Sequence, residues 1–252
     1  MPVFFIGHGD PMNALRDNAF TRSLVAMGKS LTVKPKAIMV VSAHWLTRGT
    51  YVATTATPET IYDFGGFPEE LYRVVYPAPG APDVAKEVIK LSPEIKPDAE
   101  WGLDHGAWTV LKHMFPAADI PVFQLSIDYF KPMRYHFDLA RALKPLRKQG
   151  VLVIGSGNIV HNLSAFFGNP NGDPFDWTVE FDKWVKEKIE QRDFQSLINY
   201  ESEGAAAKLA VPTVDHYVPM LYSLALAGEK EPIAFTYEEV QSSISMRCLR
   251  VG

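Results

Sequence analysis

The chain has a single cysteine, Cys248. One thiol cannot close an intrachain disulfide, and it cannot supply a thiolate metal cluster. No apolar run approaches the roughly 18 residues that a membrane span requires. Clustered basic charge is also missing: 25 Lys and Arg are mixed with 29 Asp and Glu, for a net charge of −4. That excludes the basic footprint expected of a nucleic-acid binder. Several catalytic signatures are absent as well. There is no P-loop, no G-x-S-x-G nucleophile elbow and no HExxH zinc-protease helix. Gly155-Ser156-Gly157 lacks the spacing of a dinucleotide site. No internal repeat or low-complexity linker divides the 252 residues. The first strand begins at once, without a charged leader segment, and the expected location is the cytoplasm.

What is present begins with Ala37–Trp45, AIMVVSAHW. Its continuous apolar, β-branched start predicts a strand buried on both faces, the pattern of parallel sheets. His44 then falls where open α/β sheets place their ligands. The arrangement recurs twice. Val3–Ile6 leads to His8, and Val151–Ile154 leads through Gly155–Asn158 to His161. Three such strands would bring three imidazoles to one sheet edge. Helical spacing is expected in Pro82–Leu91, Val110–Phe115, Phe137–Leu146, Trp177–Gln191 and Leu221–Ala227, with Asp176 as an N-cap. Ser243–Val251 alternates as a strand. Alternating strands and helices predict an α/β fold. The expectation is one catalytic domain over 1–252, its central mostly parallel or mixed sheet flanked by helices on both faces.

Seven histidines are the main chemical resource: His8, His44, His105, His113, His136, His161 and His216. Neutral imidazole is a common metal ligand. His113 and His136 read as solvated or capping residues of helical stretches. His216 has no strand before it, and spacing leaves its role open. Asp104-His105 reads either as an acid–base pair or as a helix cap beside a histidine.

Taken together, GHGDPMN, SAHW, IYDFGGFP, YPAPG, WGLDHGAW, GSGNIVHN and DHYVPMLY, with the terminal SISM, resemble the class III extradiol ring-cleavage dioxygenases. The likeness is to their DOPA 4,5-dioxygenase branch and runs in order along essentially the whole chain. It implies a non-haem, metal-dependent oxidoreductase that cleaves the ring of a DOPA-like catechol with both atoms of dioxygen, giving a muconic semialdehyde-type product. It implies one divalent ion held by His8, His44 and His216, where distant relatives use two histidines and a glutamate. His161 matches a residue that acts as acid–base catalyst or as a further metal contact, and His105 matches a pocket histidine. Fe(II) is the expected metal for activity. Zn(II), which cannot activate oxygen by redox chemistry, suits the same nitrogen-rich pocket in an isolated protein. The implied partners are a small aromatic diol and O2, with no nucleic acid and no membrane. One departure stands out: Asp10 replaces the serine of the usual GHGSPMN. The competing readings are a zinc hydrolase on a similar α/β scaffold and a non-catalytic metal-binding protein.

Overall fold

Ala37–Val41 has no face to offer water, and it lies near the middle of an eight-stranded sheet. The structure is a computed structural model that describes residues 1–252. In chain order the strands are β1 (Val3–Gly7), β2 (Ala37–Thr47), β3 (Thr50–Ala53), β4 (Ile95–Asp98), β5 (Val122–Asp128), β6 (Val151–Gly157), β7 (Ile233–Tyr237), β8 (Val240–Gln241), β9 (Ile244–Ser245) and β10 (Cys248–Val251). The large sheet runs β4-β3-β5-β2-β6-β1-β10-β7, and β8 and β9 form a separate hairpin. The four central strands β5, β2, β6 and β1 are parallel. Antiparallel pairing enters toward the edges, at β3–β5 and at β1–β10–β7.

The helices are α1 (Ala19–Lys29), α2 (Pro82–Leu91), α3 (His105–Met114), α4 (Met133–Ala142), α5 (Pro145–Lys148), α6 (Leu163–Gly168), α7 (Asp176–Glu190), α8 (Phe194–Ile198), α9 (Ala205–Ala210) and α10 (Val218–Ala225). None is long and apolar enough to cross a membrane. They cover both faces of the sheet. Successive strand side chains point to opposite faces, so Val3 and Phe5 join a core with α4, α7 and α10. Phe4 and Ile6 join a second core with α1 and α3. Burial on both faces explains why β1, β2 and β6 read as unbroken apolar runs rather than alternating ones.

Local chemistry explains several boundaries. Asn18 caps α1 through the Thr21 amide, and Thr21 returns the bond. Pro145 separates α4 from α5, so the expected single helix Phe137–Leu146 is two. Asp176 is the first residue of α7 rather than its cap; Phe175 holds the cap position without a side-chain bond. The expected strand Ser243–Val251 is broken at Met246 and Arg247. There Arg247 turns inward to pair with the buried Asp182. His136 is fully buried beneath Tyr222, not solvated, while His113 bonds the Asn13 carbonyl.

Because β1, β2 and β6 run parallel, their carboxyl ends open on one edge of the sheet. His8 follows β1 directly. His44 lies inside β2, because a register shift between Val41 and Leu46 lets that strand continue along β5. His161 stands beyond β6 and is bridged to Ile244. The segment carrying His216 crosses over β6. The Asn158 amide donates to the His216 carbonyl at 2.9 Å. A Cβ on Gly157 would lie 2.2 Å from that oxygen, so only glycine permits the crossing.

Candidate metal centre

His8, His44, His105, His161 and His216 line one cavity of about 400 Å³. Two larger hollows, of about 670 and 630 Å³, contain no histidine. The size suits a small ligand rather than a polymer.

Each ring is oriented by a different part of the chain. His8 Nδ1 lies 2.9 Å from Ser156 Oγ. Ser156 donates its one proton to the Gly106 carbonyl at 2.6 Å, so it accepts from His8 Nδ1–H. Asp63 Oδ2 accepts from His44 Nδ1 at 3.1 Å and from His105 Nδ1 at 2.9 Å. Asp63 Oδ1 accepts from the His105 amide at 2.9 Å. His216 Nδ1 pairs with Asp215. In four rings, therefore, Nδ1 is engaged and Nε2 is left for the cavity. This is the way protein groups orient imidazoles around a metal.

The donor set fits a divalent ion. His8 Nε2 and His44 Nε2 are 3.1 Å apart. Two metal–nitrogen bonds of roughly 2.1 Å at right angles span about 3.0 Å. The ring centroids of His8, His44 and His216 form a triangle with sides of 5.0, 5.0 and 5.3 Å. Rings radiating from one ion at such bond lengths place their centroids roughly 4.6–5.3 Å apart for angles between square and tetrahedral.

The other two rings are arranged differently. His105 approaches His44 to a centroid distance of 3.8 Å. His161 lies flat on His216, 3.4 Å away and 7° from parallel. Its ring makes no hydrogen bond to the protein. By ligand-atom spacing alone, His105 groups with His8 and His44, while His161 groups with Asp215 and His216.

Protonation follows from this environment. Burial, reinforced by the neighbouring rings, holds His8 and His216 well below the ordinary histidine value. Burial lowers His161 to about 4, against an opposing pull from Asp215. Burial and then His44 lower His105, although Asp63 opposes them. At neutral pH these imidazoles are neutral and their lone pairs are available. Burial alone would raise the Asp63 carboxyl, but the bonds from His105 and His44 outweigh it and hold the group well below the carboxylate range.

The rest of the wall is mainly apolar and comes from Phe64 and Phe67 on one side, and Phe166, Ile244 and Met246 on the other. Ile61–Pro68 thus reaches the cavity directly. From Trp101–Trp108 only His105 does. Trp101 stacks on Trp45, and Trp108 donates to the Ile61 carbonyl at 2.9 Å, so these rings brace the wall from behind. Asp104 caps α3 and binds Ser42 and Gln124, both at 2.7 Å. It is the capping residue; Asp63 is the acid that meets His105. Asp63, Ser156 and Asp215 join the site through their bonds to the histidines, and strand ends and histidine positions alone do not single them out. Only Asp215, adjacent to His216, carried a local signal.

The family model for the catalytic LigB subunit of aromatic ring-opening dioxygenase matches residues 5–247. The chain belongs to this family. It is an extradiol ring-cleaving dioxygenase, acting on an aromatic substrate with O2. Dioxygenases of the LigB family are metal-dependent, and the histidine cavity is a potential metal site. A 4,5-DOPA dioxygenase extradiol of Escherichia coli K12 is 44% identical over 260 aligned residues, covering 100% of this chain and 95% of that one. The protein of the same name from Beta vulgaris is 38% identical, covering 90% and 87%. A crystal structure of an uncharacterized E. coli K12 protein superposes with a TM-score of 0.86 at 41% identity over the whole of both chains. These matches favour neither the zinc hydrolase nor the non-catalytic metal-binding protein.

Proposed function

We propose that this dioxygenase opens a DOPA-like catechol beside its diol, with Fe(II) held by His8, His44 and His216. The observation that carries the reading is the near-equilateral triangle of those three rings, each with its Nδ1 tied to a separate protein group. His105 approaches His44 too closely to share that radial arrangement, and the parallel stack on His216 sets His161 beside it. Bound there, a redox-active ion would supply the centre at which catechol and dioxygen react, a task zinc cannot perform. A reducing cytoplasm, the location we infer, keeps such an ion ferrous.

The chain's own residues do the rest. His161, neutral and with both ring nitrogens free of protein bonds, takes a proton from a catechol hydroxyl and later returns it. His105 has Nδ1 fixed on Asp63 and turns its other nitrogen toward the substrate oxygens. Phe64 and Phe166 line the apolar slot that receives the ring and displaces water. The four names among the relatives that read 4,5-DOPA dioxygenase extradiol support a DOPA-like substrate. The test is anaerobic loading with Fe(II), followed by air and a catechol panel. Yellow semialdehyde products should form in proportion to bound iron; failure with every catechol would refute the proposal.

A further inference from the structure

The cavity has a charged rim that the ring chemistry does not use. Its lining contains no Lys or Arg, and its only carboxylates are Asp63 and Asp10. Asp63 is committed to His44 and His105 through both oxygens. Asp10 is not tied to any histidine. It follows His8 by two residues, across Gly9 at φ 63°, and it lines the cavity while remaining partly open to solvent, which puts it at the mouth. Its Oδ1 accepts from the Met12 amide at 2.7 Å, which fixes the carboxylate at the start of the 3-10 turn Pro11–Ala14. Its Oδ2 meets Arg16 at 3.3 Å, in a pair whose side chains are 39% and 46% exposed. Arg16 lies outside the cavity lining, and a pair so exposed is weak and screened.

We infer that Asp10 sets substrate charge: the mouth selects catechols whose side chain carries an ammonium over those whose side chain carries only a carboxylate. This rests on the assignment of the cavity to a catechol. A ring seated among the histidines directs its substituent toward the mouth. There a cation finds Asp10, and an anion finds a negative neighbour with no cation in the lining.

The test uses Fe(II)-loaded protein and catechols that share one ring but carry an aminoethyl, a carboxyethyl or an uncharged propyl chain. The wild type is compared with Asp10→Asn and Asp10→Ser, both of which keep a capping oxygen for the Met12 amide. Two ratios are read: kcat/KM in air, and dissociation constants from anaerobic calorimetry. The wild type should favour aminoethyl over carboxyethyl by up to about fivefold, the upper end for an exposed charge pair. The preference should fall toward unity in both variants, and in the wild type at high salt. An equal preference in wild type and Asp10→Asn would overturn the inference. So would a wild-type preference for the carboxyethyl catechol, which would put Arg16 in control. Cleavage of all three without charge preference defeats this inference alone. Neither binding nor cleavage of any of them defeats the catechol assignment with it.

Discussion

Asp63→Asn changes one atom in the bridge that orients two imidazoles. In the wild type Oδ2 accepts from His44 Nδ1 and His105 Nδ1, while Oδ1 accepts from the His105 amide. An asparagine has one acceptor and one donor. If its oxygen serves the two rings, its NH2 faces the His105 amide, donor against donor. If it flips, the NH2 faces two Nδ1–H groups, and His44 regains Nε2–H at the expense of its lone pair. Either arrangement spoils the direction of a proposed ligand without removing it. Losing such an outer partner lowers metal affinity by roughly 10–100-fold, or about 1.4–2.7 kcal/mol. The assay is anaerobic Fe(II) competition against a chelator, with thermal unfolding of the metal-free variant confirming that it is folded. Asp63→Asn affinity within threefold of wild type, in a folded protein, would refute the orienting role.

His44→Ala should lose bound metal, whereas His161→Ala should keep it and lose turnover by about 10²–10⁴-fold; metal analysis beside single-turnover cleavage separates the two. His161→Ala that loses metal as completely as His44→Ala would make His161 a ligand. Gly106→Ala places a Cβ 2.6 Å from Ser42 Oγ and 3.0 Å from His44, so metal affinity should fall while the far side of the sheet keeps its amide-exchange protection. Buried His136 is lowered to about 4 by desolvation, against about 6.5 unfolded. Between those values the unfolded chain binds the extra proton, so His136 makes stability fall as pH drops, by about 3 kcal/mol across the window. Urea unfolding at pH 7 and pH 5 should therefore show a smaller acid loss in His136→Leu than in wild type; equal losses would contradict the assignment.

The sheet was legible because its central strands are buried on both faces, which removes polar residues from Val3–Ile6, Ala37–Val41 and Val151–Ile154. The edges were less so. Ser243–Val251 alternates like one strand, yet the need of buried Asp182 for a cation draws Arg247 inward and breaks it. At the site, residues that follow strands could be anticipated because parallel strands end together. Spacing left His216 open and only the family resemblance pointed to it, since its place depends on a helix-leading segment crossing the glycines of β6, a tertiary contact without local periodicity. Asp63 was hidden for a similar reason: it sits 42 residues from His105 in an irregular loop. His136 looked solvated because its helix is polar in sequence, while α10 and Tyr222 close over that one face.

Oxygen-isotope labelling of the product tests the central claim most directly. Protein loaded anaerobically with Fe(II) and then given a catechol with ¹⁸O2 should consume one dioxygen per ring opened and place both labelled atoms in the semialdehyde product before exchange. Zn(II)-loaded protein should consume none. Product formation with Zn(II), or without oxygen uptake, would contradict the account.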